Sequence, residues 1–354
     1  MEKKRTELQV YSGIAILFVV ILHSNAYYLM NVVKLPSYIQ SSLFIHIVDR
    51  IVHAAVPMFI FAAGFKYEMN NRNEAYKEFF LKKYKGIFRP FFYVSTFYLL
   101  YKWVNVYIMR MAVYNTVDMG FILNNAVKDF FRMFLGYNFA YQLWYIPMYL
   151  FIILSYPIIR RYLSKEAVRF IFFLLLAVIW EIVSNLGIPA IANNPYPLLF
   201  VYYFFIYEMG CMFYSKGYYT KTSVLVVPLY FALLAFVAFA PKVLLVRVVS
   251  DLLLYPVSTV FFYYVSVWLK ACKPLITLGK YSFYIYLFHE PLILSTTSRY
   301  LLKHGLYRYG VLDPLLAFYS IGVITVLLLA YDRIRAGKGN KWPFIINKEQ
   351  NKAG

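Results

Sequence analysis

Long apolar runs separated by short basic stretches fill this chain. They lie at 8–30, 43–65, 87–108, 141–159, 168–186, 197–215, 222–240, 249–269, 281–302 and 311–334. Each approaches the roughly 20 residues that carry a helix across a bilayer. The pattern predicts an all-α polytopic membrane protein of about ten transmembrane helices. The stretch 109–140 holds amphipathic pieces such as NNAVKDFFRMFLGY and predicts an interfacial or re-entrant segment instead of a crossing. The organisation expected is one transmembrane domain over 1–335 and a short polar cytoplasmic tail over 336–354. Lys3, Lys4 and Arg5 precede the first run, as basic residues precede a signal peptide. The run is long and no clear A-x-A-like site follows it, so it reads as an uncleaved first span. No internal repeat is visible, nor an inverted pair of broken helices.

Composition excludes a soluble class. Hydrophobic residues make up 62% and charged residues 15%, where soluble domains carry about 25% charge. The net charge of +20 raises the question of nucleic acid. Its distribution answers it, because the cations fall between apolar runs and no recognition motif is present. With the N-terminus in the cytoplasm, 25 Lys and Arg lie inside and 9 outside. That asymmetry predicts both termini cytoplasmic, an even number of spans and a multi-pass protein of the cell membrane. Cys211 and Cys272 have no CxxC spacing and read as two reduced thiols, and no metal site is expected.

Polar residues inside the apolar runs are the candidates for function, since burying them in lipid costs free energy unless they face a partner or a wet cavity. His23 in the first run is the foremost. Asp49, Arg50 and His53 lie in the outer half of the second, with Asp49 and His53 four apart on one helical face. Lys102, Glu181 and Asp251 fall at a similar outer level, which suggests an outward-opening polar cavity. A deeper group holds His289, Glu290 and Glu208, with Lys85 and Arg89 at the cytoplasmic mouth of the third run. A positive mouth below polar groups suits an anionic ligand arriving from the cytoplasm. Plainer readings stand beside these. His53 with Asp49 also reads as a helix-stabilising pair, Glu181 as a cap on a wet helix end, Arg89 as an interfacial anchor, and Lys102 as a snorkelling side chain. Outer aromatics such as Tyr137, Tyr141, Trp144 and Tyr145 suit stacking on sugar rings or an interfacial belt.

The same residues carry a family likeness. RTELQVYSGIAILFVVILH (5–23) resembles the opening of the membrane-bound acyltransferase 3 family, E-L-x-x-L-R-G-x-A followed by a histidine; Glu7, Leu8, Gly13, Ala15 and His23 fit. VPMFIFAAGF (56–65) resembles its V-P-x-F-F-x-x-S-G-F. FLKKYKGIFRPFF (80–92) resembles its basic approach to the third span, and LWYIPMYLFIILSYPII (143–159) its fourth span. YSFYIYLFHEPLIL (281–294) resembles its late S-F-x-I-Y-L-x-H-x-P, with His289 on the histidine. The likeness runs through nearly the whole chain in order. Ser12 stands at the family's arginine, and Ala63 at the serine of S-G-F.

The resemblance implies transfer of an acyl group, most often acetyl, from cytoplasmic acyl-CoA to a hydroxyl of a surface glycan or its lipid-linked precursor. Acyl-CoA is then a co-substrate, and no cofactor is held permanently. A neutral histidine suits the removal of a hydroxyl proton near pH 7. The roles expected are His23 as general base oriented by Asp49, with His53 in the catalytic group; Lys82, Lys83, Lys85 and Arg89 on CoA phosphates; and His289, Glu290, Glu208, Lys102, Glu181 and Arg50 lining the passage or substrate site. Arg50, Lys102 or tyrosine hydroxyls are candidates for steadying an oxyanion. Expected partners are the glycan acceptor, membrane lipid and proteins of polysaccharide synthesis. The rival class is a transporter or flippase that moves a glycan without chemistry; a scaffold within a polysaccharide-synthesis complex is a third.

Overall fold

The structure is a computed structural model that describes residues 5–31, 43–114, 118–133, 141–186, 199–220, 224–239, 244–304 and 312–337. Among these residues the regular elements are all helices. Tyr137 and the tail from 338 lie outside the described residues.

The α-helices are α1 (Thr6–Asn31), α2 (Leu43–Val52), α3 (Ala55–Lys66), α4 (Tyr76–Lys83), α5 (Arg89–Tyr114), α6 (Met119–Met133), α7 (Tyr145–Tyr162), α8 (Glu166–Ser184), α9 (Phe200–Ser215), α10 (Val226–Phe239), α11 (Leu244–Val249), α12 (Tyr255–Trp268), α13 (Lys273–Phe288), α14 (Leu294–Lys303) and α15 (Leu312–Gly337). Wider π-helical turns follow α3, α4, α11 and α13.

Six described helices are long and apolar enough to cross a membrane: 6–24, 47–71, 142–162, 166–184, 250–268 and 315–334. The described residues of the remaining four expected spans are mostly helical too, but each helix falls short for a visible reason. Tyrosines together with Lys102 and Arg110 lower the hydropathy of α5. Helices α9 and α10 have 16 and 14 residues. The run 281–302 is broken after α13. Along α8, Ile171, Leu175, Ile179 and Ile182 are all exposed at helical spacing. An apolar stripe left bare is the face a helix turns to lipid. The chain is a multi-pass membrane protein.

Two compact units divide the chain. The first combines 1–72, 163–188 and 201–332. At its centre α1 packs against α13, α3 and α12. Glycines permit this. A Cβ on Gly13 would lie 2.2 Å from the Leu275 carbonyl oxygen, and one on Gly279 would lie 1.7 Å from that of Gln9. No other residue type tolerates such backbone contact, the device by which membrane helices approach most closely. A second glycine pair joins α3 to α9, where a Cβ on Gly64 would meet the Tyr207 carbonyl at 2.0 Å and one on Gly210 that of Phe61 at 2.1 Å. Cys211 donates its thiol to the Gly64 carbonyl at 3.3 Å in the same crossing.

The second unit combines 73–162, 189–200 and 333–354. Here α4 runs through a π turn into α5, and α6 folds back along α5. The ion pair of Lys102 with Asp129, at 2.6 Å, and the Arg110 guanidinium over the Phe121 ring, at 4.1 Å, hold that return. The Tyr76 hydroxyl donates to the Leu154 carbonyl on α7 at 3.2 Å. Within the segment 109–140 expected to lie at the interface, the described residues form the end of α5 and the largely exposed helix α6, while 115–117 and 134–140 lie outside the described residues.

A histidine pair as candidate active site

The α1–α13 crossing carries the candidate site. Gly13 meets Gly279 at the start of both helices. Ten residues on along each lie His23 and His289, and their rings touch: His23 Nδ1 is 2.5 Å from His289 Nε2. Two helices that hold the same offset, 266 residues, at both places run parallel. The rings are within 6° of parallel with centroids 4.9 Å apart. Given the 2.5 Å N···N contact, that separation puts them edge to edge in nearly one plane, the geometry in which a ring N–H points along its partner's lone pair. His289 is fully buried and His23 half-buried.

The helix break explains where His289 points. Pro291 pushes the preceding residue out of helical geometry, and Glu290 takes extended backbone, φ −129° and ψ 147°. Carbonyls at a helix end need new donors. His289 Nδ1 supplies one, 2.8 Å from the Tyr286 carbonyl oxygen and 3.1 Å from that of Ile285. Glu290, also buried, accepts from the Ser295 hydroxyl at 2.5 Å.

Sequence reasoning put His23 and His289 at different depths, and the structure corrects this. Helix α13 begins at Lys273, well before the expected edge at 281. His289 is then 16 residues beyond the helix start, and His23 is 17 beyond Thr6. The apolar run starts late because Lys273, Thr277 and Lys280 dilute the first turns of α13, although its backbone is helical there.

The other candidates are scattered. Asp49 is engaged with His53 in the turn just after α2: His53 Nδ1 lies 3.2 Å from the Asp49 carboxylate and 2.7 Å from its carbonyl oxygen. It is His289, in place of the expected Asp49, that the structure brings to His23 Nδ1. Arg50 hydrogen-bonds Tyr255. Glu208, expected to line a passage, is fully buried, and Arg169 donates to it at 2.9 Å. Arg169 also donates to the Leu163 carbonyl, at 2.9 Å, and to that of Ser164, at 3.3 Å. Glu181 is buried, and its carbonyl accepts from Asn185 at 2.6 Å. Ser12 turns its hydroxyl to the Leu8 carbonyl of its own helix at 2.9 Å.

Lys102 and the basic stretch belong to the second unit. Lys82 pairs with Glu74, and Lys83 lies 5.0 Å over the Phe79 ring. Arg89 stacks on Tyr93 at 5.6 Å and donates to its hydroxyl at 3.3 Å. Lys85 and Arg89 are exposed.

Sequence reasoning missed two groups. Arg169, at the start of the run 168–186 and not among the candidates, is 2% exposed. The cluster of Lys280, Tyr281 and Asp332, with Lys280 2.7 Å from the carboxylate, joins α13 to α15. A sequence signal existed for Arg169, since an acid such as Glu208 within an apolar run requires a buried cation.

The chain matches the acyltransferase-domain model of the acyltransferase 3 family over residues 10–331. No curated protein and no solved structure matches it. The match takes in both histidines, and from it the chain belongs to the acyltransferase 3 family and is a membrane acyltransferase.

Proposed function

We propose that the protein is a membrane O-acyltransferase that moves an acyl group, acetyl in the simplest case, from cytoplasmic acyl-CoA to a hydroxyl of a surface glycan or its lipid-linked precursor. The observation that carries this reading is His23 held against His289 within a bundle of apolar helices. An imidazole in such a setting is a functional group by default. In the reaction, the acceptor hydroxyl gives its proton to His23 as its oxygen attacks the thioester carbonyl. The tetrahedral intermediate collapses with cleavage of the C–S bond. The proton passes from His23 to the departing sulfur, so the products are the ester and free CoA thiol. A thioester is already activated, so no covalent enzyme intermediate is needed.

Arg50 and nearby tyrosine hydroxyls are the candidates for steadying the oxyanion. Lys82, Lys83, Lys85 and Arg89 are the candidates for the CoA phosphates. The proposed topology is ten crossings of the cell membrane with both termini cytoplasmic. Helices α1 and α13 run parallel, so an odd number of crossings separates them, in agreement with first and ninth spans of the same sense. The excess of Lys and Arg on the same side supports it.

The test is transfer of radiolabelled acetyl from acetyl-CoA to a glycan fraction in membranes. His23→Ala is expected to lower the rate by about 10²–10⁴-fold, with the acyl mass increment absent from glycans of cells that carry only this variant. Wild-type turnover by His23→Ala removes the base assignment. Label that never leaves CoA in the wild-type protein, whatever glycan is offered, removes the choice of acetyl donor and glycan acceptor.

A further inference from the structure

We infer that His289 is the positioning residue that sets the tautomer of His23, so that Nε2 of His23 is the atom that takes the acceptor's proton. The inference rests on the reading of His23 as base and deepens it.

The argument follows the protons. A backbone carbonyl can only accept, so His289 Nδ1, 2.8 Å from the Tyr286 oxygen, carries a hydrogen. A neutral His289 then has a bare lone pair on Nε2. That lone pair faces His23 Nδ1 at 2.5 Å, and the contact is a hydrogen bond only if His23 Nδ1 bears the hydrogen. A neutral His23 with its proton on Nδ1 has its lone pair on Nε2, away from His289. The order is Tyr286 carbonyl, His289, His23, substrate. Each ring is locked by the one behind it, the arrangement by which an orienting group fixes a catalytic imidazole.

The arrangement also acts after proton transfer. Once His23 is an imidazolium, its Nδ1–H still points at the His289 lone pair, and the Tyr286 and Ile285 carbonyls lie behind His289. Their negative ends face the new charge. The lone pair and the carbonyl dipoles can steady that charge without a carboxylate, and the Asp49 carboxylate pairs with His53. The Gly13–Gly279 contact sets the register, and the Pro291 break supplies the carbonyl.

The test uses the full-length protein in membranes, with acetyl-CoA and a glycan acceptor. His289→Gln sets an amide oxygen where Nε2 stood and can accept from His23. His289→Asn sets its amide at the Nδ1 position and leaves His23 without an acceptor. The Gln variant is expected to keep kcat within about ten-fold of wild type, and the Asn and Ala variants to lose roughly 10²-fold or more, with the KM for acetyl-CoA nearly unchanged. In the double variant His23→Ala with His289→Ala, the second change is expected to cost nothing further. Equal activity of Gln and Asn variants, or an added loss in the double variant, overturns the positioning role. Because His23→Ala is measured beside them, a wild-type rate there marks failure of the base assignment itself.

Discussion

A single arginine shows how far one residue's environment departs from its surroundings in the chain. Arg169 stands three residues after Glu166 in the polar first turn of α8, yet it is buried against Glu208 on α9. Its three donors to Glu208, Leu163 and Ser164 tie two helices and the turn before α8 together. Removing one partner of a buried pair leaves an uncompensated charge, whereas replacing both is far milder. Arg169→Met is expected to destabilise by about 3–5 kcal/mol, read as a lower Tm in detergent. Adding Glu208→Met is expected to restore most of that loss; no recovery in the double variant would show that the Leu163 and Ser164 bonds, not the ion pair, are what matter. The sequence signalled Glu208 as a buried acid, but the cation that answers it lies 39 residues away and is visible only once α8 and α9 pack.

At the scale of elements, glycines govern which helices meet. The family-like segments contain Gly13 and Gly64, but nothing in them names Gly279 or Gly210 as the surfaces they touch. A Cβ at Gly279 would sit 1.7 Å from the Gln9 carbonyl oxygen of α1, and the atoms it meets first are Gln9 backbone, not a flexible side chain that could yield. Gly279→Leu is therefore expected to force α1 and α13 apart, which separates His23 from His289 and abolishes transfer while also lowering folded yield. Gly322→Ala on α15 is the control, since nothing lies within 4 Å of that position; its yield and transfer rate are expected to match wild type. Normal transfer by Gly279→Leu would mean that the crossing does not set the histidine contact. The break at Glu290–Pro291 belongs to this scale as well. Pro291 was legible as an interruption, but the use of the freed carbonyl by His289 was not.

For the whole molecule, the two units carry different parts of the proposed chemistry. The histidine pair belongs to the first and the basic stretch from Lys82 to Arg89 to the second. Lys85 and Arg89 are exposed, so their charge reaches a phosphate by attraction through solvent and is screened by salt. Charge reversal, Lys85→Glu with Arg89→Glu, is expected to raise the KM for acetyl-CoA by about ten-fold at low salt with kcat little changed, and the difference is expected to shrink as ionic strength rises. Initial rates over a range of acetyl-CoA at two salt concentrations check this. An unchanged KM would remove these residues from donor binding.

The sequence by itself determined the class and the candidates. Apolar runs of bilayer length, scarce charge and the cation asymmetry already specify a polytopic helical protein, because lipid cannot satisfy a bare backbone and only the helix does so within one segment. His23 and His289 were both legible, since a polar side chain in an apolar run stands out wherever it falls. Their meeting was decided by tertiary structure alone. The two are 266 residues apart, and their helices come together through close backbone contact at Gly13 and Gly279. Helix α13 begins in a stretch too polar to read as membrane, which hid the true depth of His289. Periodicity and hydropathy act along the chain, whereas a hydrogen bond between two rings depends on the distance between helices, and that distance is set by side chains, or their absence, on the partner.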